Sequence, residues 1–212
     1  MSGKFCVYII ESPSADDHYY KRAEANPLNE ALRLIGVQSL SRTVIGRSHL
    51  QAAISECAEA VKSGSSPIAL HISAHGAEHG IGLTSGEVIE WEELGKLFKP
   101  LTEATRGDLL VCMSSCDGFH GIQMAMTLEA EPFSVIVGPV GKPTYADTTV
   151  AYLTLYHLMA KGCGLPEAVE KMNGASGHTF GFRIGAELKN QFLEIFHTRL
   201  LNSVPEQPSV TQ

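Results

Sequence analysis

Two apolar runs in this chain are continuous rather than alternating, and small, turn-forming residues cut each of them off. The first is Ile68-Ala69-Leu70-His71-Ile72-Ser73-Ala74-His75-Gly76; the second is Leu109-Leu110-Val111-Cys112-Met113-Ser114-Ser115-Cys116-Asp117-Gly118. A strand that is apolar on both faces must be covered on both, which is the condition of a strand inside a parallel sheet. Parallel neighbours need crossover connections, and helical patterns between the apolar runs supply them. The expected fold class is α/β: a mostly parallel sheet of about six strands, helices on both faces and right-handed crossovers.

The rest of the chain fills in this scheme. Phe5 to Ile10 reads as a first strand, ended by Glu11-Ser12-Pro13-Ser14. Asn26 with Pro27 opens a helix that stops at Gly36, and Val37 to Ile45 is a second strand. Ser48, with Gln51 completing a capping box, starts a helix whose Leu50, Ile54, Cys57 and Val61 share one face. Gly64-Ser65-Ser66-Pro67 breaks it. After the strand ending at His75, Gly80 to Ile89 reads as a small β-hairpin, and Trp91 to Leu101 as helix. A helix from Gly121 to Ala130, a strand from Phe133 to Val137 and a loop from Gly138 to Pro143 follow. Asp147 caps a helix running to Lys161, Leu165-Pro166-Glu167 opens another ending near Gly174, and Thr179 to Ile184 is an edge strand. With no linker and no repeat, residues 1–202 form one domain and 203–212 a loose tail.

Composition narrows the function classes. Sixteen Lys and Arg against 23 Asp and Glu give a net charge of −7, with no basic run to track phosphates, so nucleic-acid binding is not expected. No stretch approaches the roughly 20 apolar residues that span a bilayer, and Phe5 to Ile10 is too short for a signal sequence. Five irregularly spaced cysteines leave one over in any disulfide scheme and form no Cys-x-x-Cys pair. Reduced thiols and a cytoplasmic location are expected.

The chemistry sits at the ends of the two apolar runs. In an open α/β sheet the working crevice lies beyond the carboxyl ends of the strands, so His75 and Cys116 are expected to meet there as a base and a nucleophile. A thiol is only a few per cent ionised at neutral pH and needs help, which an imidazole with pKa near 6.5 can give. A helix N-terminus soon after Cys116 is expected to favour the thiolate further. Gly76 lacks a side chain, so its N–H, with that of Cys116, can hold a developing oxyanion. The bland reading makes both residues structural, a buried thiol and a histidine satisfying a carbonyl.

The sequence from Leu70 to Gly76, followed by Met113-Ser114-Ser115-Cys116-Asp117-Gly118, resembles the two catalytic blocks of caspase-like cysteine peptidases, the clan of caspases, metacaspases and separases. It looks most similar to bacterial CHAT-type proteases, weakly also through Asp147 to Leu153 and on to Ala168. The histidine lies about 50 residues before the cysteine in caspases; here 41 positions separate them. The resemblance implies a cysteine-type endopeptidase that forms an acyl-thioester, with His75 as general base and acid, Cys116 as nucleophile and Gly76 contributing to the oxyanion hole. Ser114 stands where caspases carry Gln and metacaspases Asp, which leaves P1 preference open. Ser114, Asp117 and Tyr145 are the candidate substrate contacts, although Asp117 equally reads as a helix cap and the Gly138–Tyr145 segment as an ordinary loop. No cofactor is implied. The partners expected are a protein substrate, a regulatory protein or activator, and a second copy through an edge strand. Bacterial defence or regulated cell death is the family's setting. A zinc site of His71, His75, His79 and Cys116 is disfavoured because a strand-then-loop segment does not bring those histidines to one face. A catalytically silent peptide-binding adaptor and a Cys-His acyltransferase or thioesterase remain the alternatives.

Overall fold

The computed structural model describes residues 5–64 and 68–203. Strand β1 (Cys6–Ser12) leads through the short helix α1 (Ala15–Tyr19) and α2 (Ala25–Leu34) to β2 (Gln38–Thr43), and α3 (Arg47–Lys62) returns to β3 (Ile68–Ala77). The hairpin β4 (Gly80–Gly82) and β5 (Val88–Glu90) grows from the end of β3, followed by α4 (Trp91–Leu97), α5 (Lys99–Ala104) and β6 (Leu109–Ser114). A 3-10 segment (Gly118–Ala125), β7 (Val135–Pro139), α6 (Tyr145–Ala160), α7 (Leu165–Ser176), β8 (Phe180–Ile184) and α8 (Gly185–Ser203) complete the chain. The strand order is β2-β1-β3-β6-β7-β8, parallel from β2 to β7, with β8 antiparallel at the edge and the hairpin off the main path.

Alternation within the continuous apolar strands splits the core into two layers. Tyr8 and Ile10 of β1 and Leu70 and Ile72 of β3 face one layer, packed with α3, α4 and α5 through Leu50, Ile54, Trp91 and Phe98. Val7, Ile9 and Ala69 face the other, packed with α2, α6 and α7 through Leu28, Leu32, Tyr152 and Met172. Burying each large side chain contributes about 1.5–3 kcal/mol. His71 and His75 fall on the second face by the same alternation. Helices on both faces of a mostly parallel sheet is the architecture read from the sequence.

Several local expectations are corrected. Helix α2 starts at Ala25 rather than after Asn26, because the Ala25 N–H donates to Glu11 Oε1 at 2.7 Å and needs no Asn cap. Helix α3 follows Gly46, not Ser48; the Arg47 N–H donates to Glu87 of the hairpin at 3.2 Å, so a tertiary acceptor replaces the capping box. Thr144 caps α6, and Asp147 is the reciprocal partner of that box rather than the cap. The stretch from Trp91 to Leu101 divides at Phe98, where Pro100 opens α5. The expected Gly121–Ala130 helix is the 3-10 segment instead: a side chain at Gly121 would meet Ile136 Cδ1 at 2.8 Å, so this backbone lies hard against β7. The sequence reading missed α1 and α8. Ser203 ends α8, and the rest of the expected tail lies outside the described residues, as do Ser65, Ser66 and Pro67.

Candidate active site

The chain passes from β1 to β2 on one side and returns to β3 on the other, so the connections diverge above the carboxyl ends of β1 and β3. Such a switch point opens a crevice in doubly wound sheets. Here it is a cleft of about 840 Å³ lined by Asp17, His75, Ser115, Cys116, Tyr145 and Thr149 among others. Strands β3 and β6 are direct neighbours, and their last parallel pair is Ser73 with Ser114. His75 and Cys116 each lie two residues beyond that pair, which brings both to the same cleft.

The turn that carries Cys116 is held by backbone contacts. Asp117 adopts φ +54°, in the left-handed region that costs an ordinary residue about 1–2 kcal/mol, and its N–H donates to the Gly141 carbonyl at 2.6 Å. Gly76 lies so close to this turn that a Cβ there would stand 2.0 Å from the Cys116 carbonyl oxygen and 2.8 Å from its nitrogen. Close approach is therefore what the glycine after His75 provides. On the far side, the Tyr152 hydroxyl donates to the Met113 carbonyl at 2.8 Å and ties the end of β6 to α6.

The His75 side chain is 54% exposed, and its ring meets Tyr145 edge-on at 6.1 Å. Its Nε2 lies 3.3 Å from Asp17 Oδ2. Asp17 in turn accepts from the Ser14 hydroxyl at 2.6 Å and from Arg22 Nε at 3.1 Å, and these groups hold its carboxyl below the usual range. Burial, then the charge of Asp117, pushes the Cys116 thiol up, while Lys142 pulls the other way. The expected thiolate-favouring helix start is not there, since a 3-10 segment follows Cys116 and Asp117 sits beside it.

Below the cleft lies a buried polar cluster that sequence reasoning missed. Glu24, 1% exposed, accepts from the Ser114 hydroxyl at 2.7 Å and from the Thr148 hydroxyl at 2.5 Å, and its other oxygen lies 2.6 Å from His71 Nε2. His71 Nδ1 is 2.9 Å from the Tyr156 hydroxyl. Ser114 thus spends its hydroxyl on Glu24 while still lining the cleft floor, and Asp117 stands at the 3-10 start without making a side-chain cap bond. Tyr145 lines the cleft with its hydroxyl buried and unpartnered among the described residues. His71 is committed to Glu24, and His79 lines a separate hollow with Trp91 and Gln123. Cys112 is a core residue whose thiol burial pushes up to about 12.

No protein-family model matches the sequence, and no curated protein matches it. Among solved structures, the chain is similar to a secreted C11 cysteine protease from Bacteroides thetaiotaomicron, "iotapain". The TM-score is 0.64 at 10% identity, with 99% of this chain and 74% of that one covered. At that identity the likeness establishes the fold, the caspase-like α/β architecture expected from the sequence.

Proposed function

We propose that this protein is a cysteine endopeptidase, akin to the bacterial CHAT-type proteases, that cleaves protein substrates through an acyl-thioester. The observation that carries the reading is the convergence of His75 and Cys116, from two adjacent parallel strands, on one open cleft at the switch point of the sheet. In this reading His75 takes the Cys116 proton and later returns it to the leaving amine. The N–H groups of Gly76 and Cys116 receive the oxyanion. Ser114 shapes the cleft floor and the ring of Tyr145 its wall, and Asp117, next in the chain to Cys116, flanks the bound peptide. The name of the similar solved structure agrees with a peptidase.

A cytoplasmic peptidase of this kind needs restraint, and we assign it to a regulatory partner, or to pairing of two copies through an edge strand, in bacterial defence or cell death. One observation favours a silent peptide-binding module instead: burial and Asp117 hold the thiol up. A positional-scanning peptide library separates the two. The purified protein should cleave a defined subset, and Cys116→Ala should lose at least about 1000-fold in rate with an unchanged circular-dichroism spectrum. Equal cleavage by the variant would overturn the endopeptidase reading, and peptide binding without any cleavage would establish the silent module.

A further inference from the structure

An imidazole that is more than half exposed does not orient itself. His75 is such a group, yet its Nε2 lies 3.3 Å from a carboxylate oxygen, within ion-pair range, and that carboxylate is much less exposed, at 14%. Asp17 is the one acidic side chain within ion-pair range of His75 among the described residues. Three contacts fix it from other directions. The Ser14 hydroxyl caps α1 by accepting from the Asp17 N–H at 3.0 Å and also donates to Oδ2 at 2.6 Å. The third contact, from Arg22 Nε to Oδ1, exists because the chain doubles back at the end of α1. There Lys21 takes φ +54°, its N–H reaches the His18 carbonyl, and the Arg22 N–H reaches the Asp17 carbonyl at 2.8 Å. This is a Schellman ending with an ordinary residue in the position that favours glycine. Tyr20 then lies under the Arg22 guanidinium at 5.1 Å. The segment after β1 is thus built to present one carboxylate oxygen to the ring, while Tyr145 of α6 meets that ring edge-on.

We propose that Asp17 is the positioning residue for His75: it holds the ring proton on Nε2 and leaves Nδ1 as the nitrogen that takes the proton of Cys116. The inference rests on the endopeptidase reading of His75 and Cys116. In the first step the S–H proton passes to Nδ1, and the sulfur attacks the peptide carbonyl carbon. The imidazolium then carries two N–H groups, one facing the Asp17 carboxylate, which stays ionised throughout. The C–N bond breaks as Nδ1 gives its proton to the leaving amine. A water molecule that attacks the thioester delivers a proton to the same nitrogen, and that proton goes to sulfur as the thiol leaves. A carboxylate so placed both selects the tautomer and stabilises the cation that forms.

Nitrogen-15 NMR of the imidazole in the unaltered protein reads the tautomer directly and needs no variant. The Nε2–H form of His75 is expected, and the Nδ1–H form would overturn the proposal. Asp17→Asn should retain the fold, place a donor where an acceptor stood and populate the Nδ1–H form. With the best library peptide, its kcat should fall by a factor on the order of 100 while KM stays within about twofold. A peptide cleaved equally by both proteins, with the tautomer unchanged, would remove Asp17 from the mechanism and leave the endopeptidase reading intact. Loss of that reading would show separately, as equal cleavage by Cys116→Ala.

Discussion

At the scale of single residues, the reactivity of Cys116 depends on what surrounds its sulfur atom. Desolvation is the largest influence raising the Cys116 thiol, and Asp117 is the next. A negative charge disfavours the thiolate, so removing it lowers the thiol pKa and increases the ionised fraction at neutral pH. Asp117→Asn should therefore speed alkylation of Cys116 by iodoacetamide at pH 7 by about two- to fivefold, as expected for a partly solvated charge pair. An unchanged or slower rate would show that Asp117 does not act on the sulfur. The place of His75 and Cys116 at the ends of two strands was legible in the sequence because each follows a continuous apolar run cut off by turn-forming residues. Asp17 and Glu24 were not, because they lie in a connection without periodicity. One signal did point to Glu24: His71 and Ser114 are polar residues inside otherwise apolar runs, and buried polar groups require partners.

At the scale of elements, helix α6 is where the wall of the cleft meets the core, since Tyr145 opens it and Tyr152 and Tyr156 are fully buried along it. Its start is fixed by the reciprocal bonds of Thr144 and Asp147, and the Thr144 hydroxyl, its N–H and His178 hold the Asp147 carboxyl below its usual range. A carboxyl with a lower pKa in the folded state contributes stability above its unfolded pKa, near 4, and loses it as pH falls through the folded value. Asp147→Ala should lower stability by about 1 kcal/mol at pH 7, and the gap in Tm from the unaltered protein should close as pH falls through the folded-state value. A gap that persists at low pH would mean that packing, not the ionised cap, is what the variant loses. The sequence placed the end of this helix within one residue but its cap three residues late, because Thr144 and Asp147 satisfy the same pattern from opposite sides. The helix expected after Cys116 failed for a different reason: the close approach of Gly121 to the Ile136 side chain and of Gly138 to the backbone of Gly118 and Phe119 is a tertiary fact that no periodicity carries.

At the scale of the whole molecule, strand order decides what the cleft contains. Because β3 lies between β1 and β6, the segment after β1 comes to the same crevice as His75 and Cys116, and Glu24 comes to lie beneath it. The class of the fold could be read from continuous apolar runs, whereas this neighbourhood depends on which side of β1 the chain returns. Glu24 joins α2, β3, β6 and α6 through His71, Ser114 and Thr148. Glu24→Ala should cost about 3–5 kcal/mol in denaturant unfolding, since it leaves buried partners uncompensated. Glu24→Gln, which keeps an acceptor, should cost less, and equal stability of all three proteins would refute a structural role for the cluster. The central claim is that Cys116 and His75 work as one unit in an accessible cleft. Its most direct test is mass-spectrometric mapping of adducts formed with a peptidyl chloromethyl ketone, on the unaltered protein and on His75→Ala. A single adduct is expected on Cys116 among the five cysteines, formed on the order of 100-fold more slowly without the imidazole. Adducts spread over several cysteines, or an equal rate in His75→Ala, would contradict it.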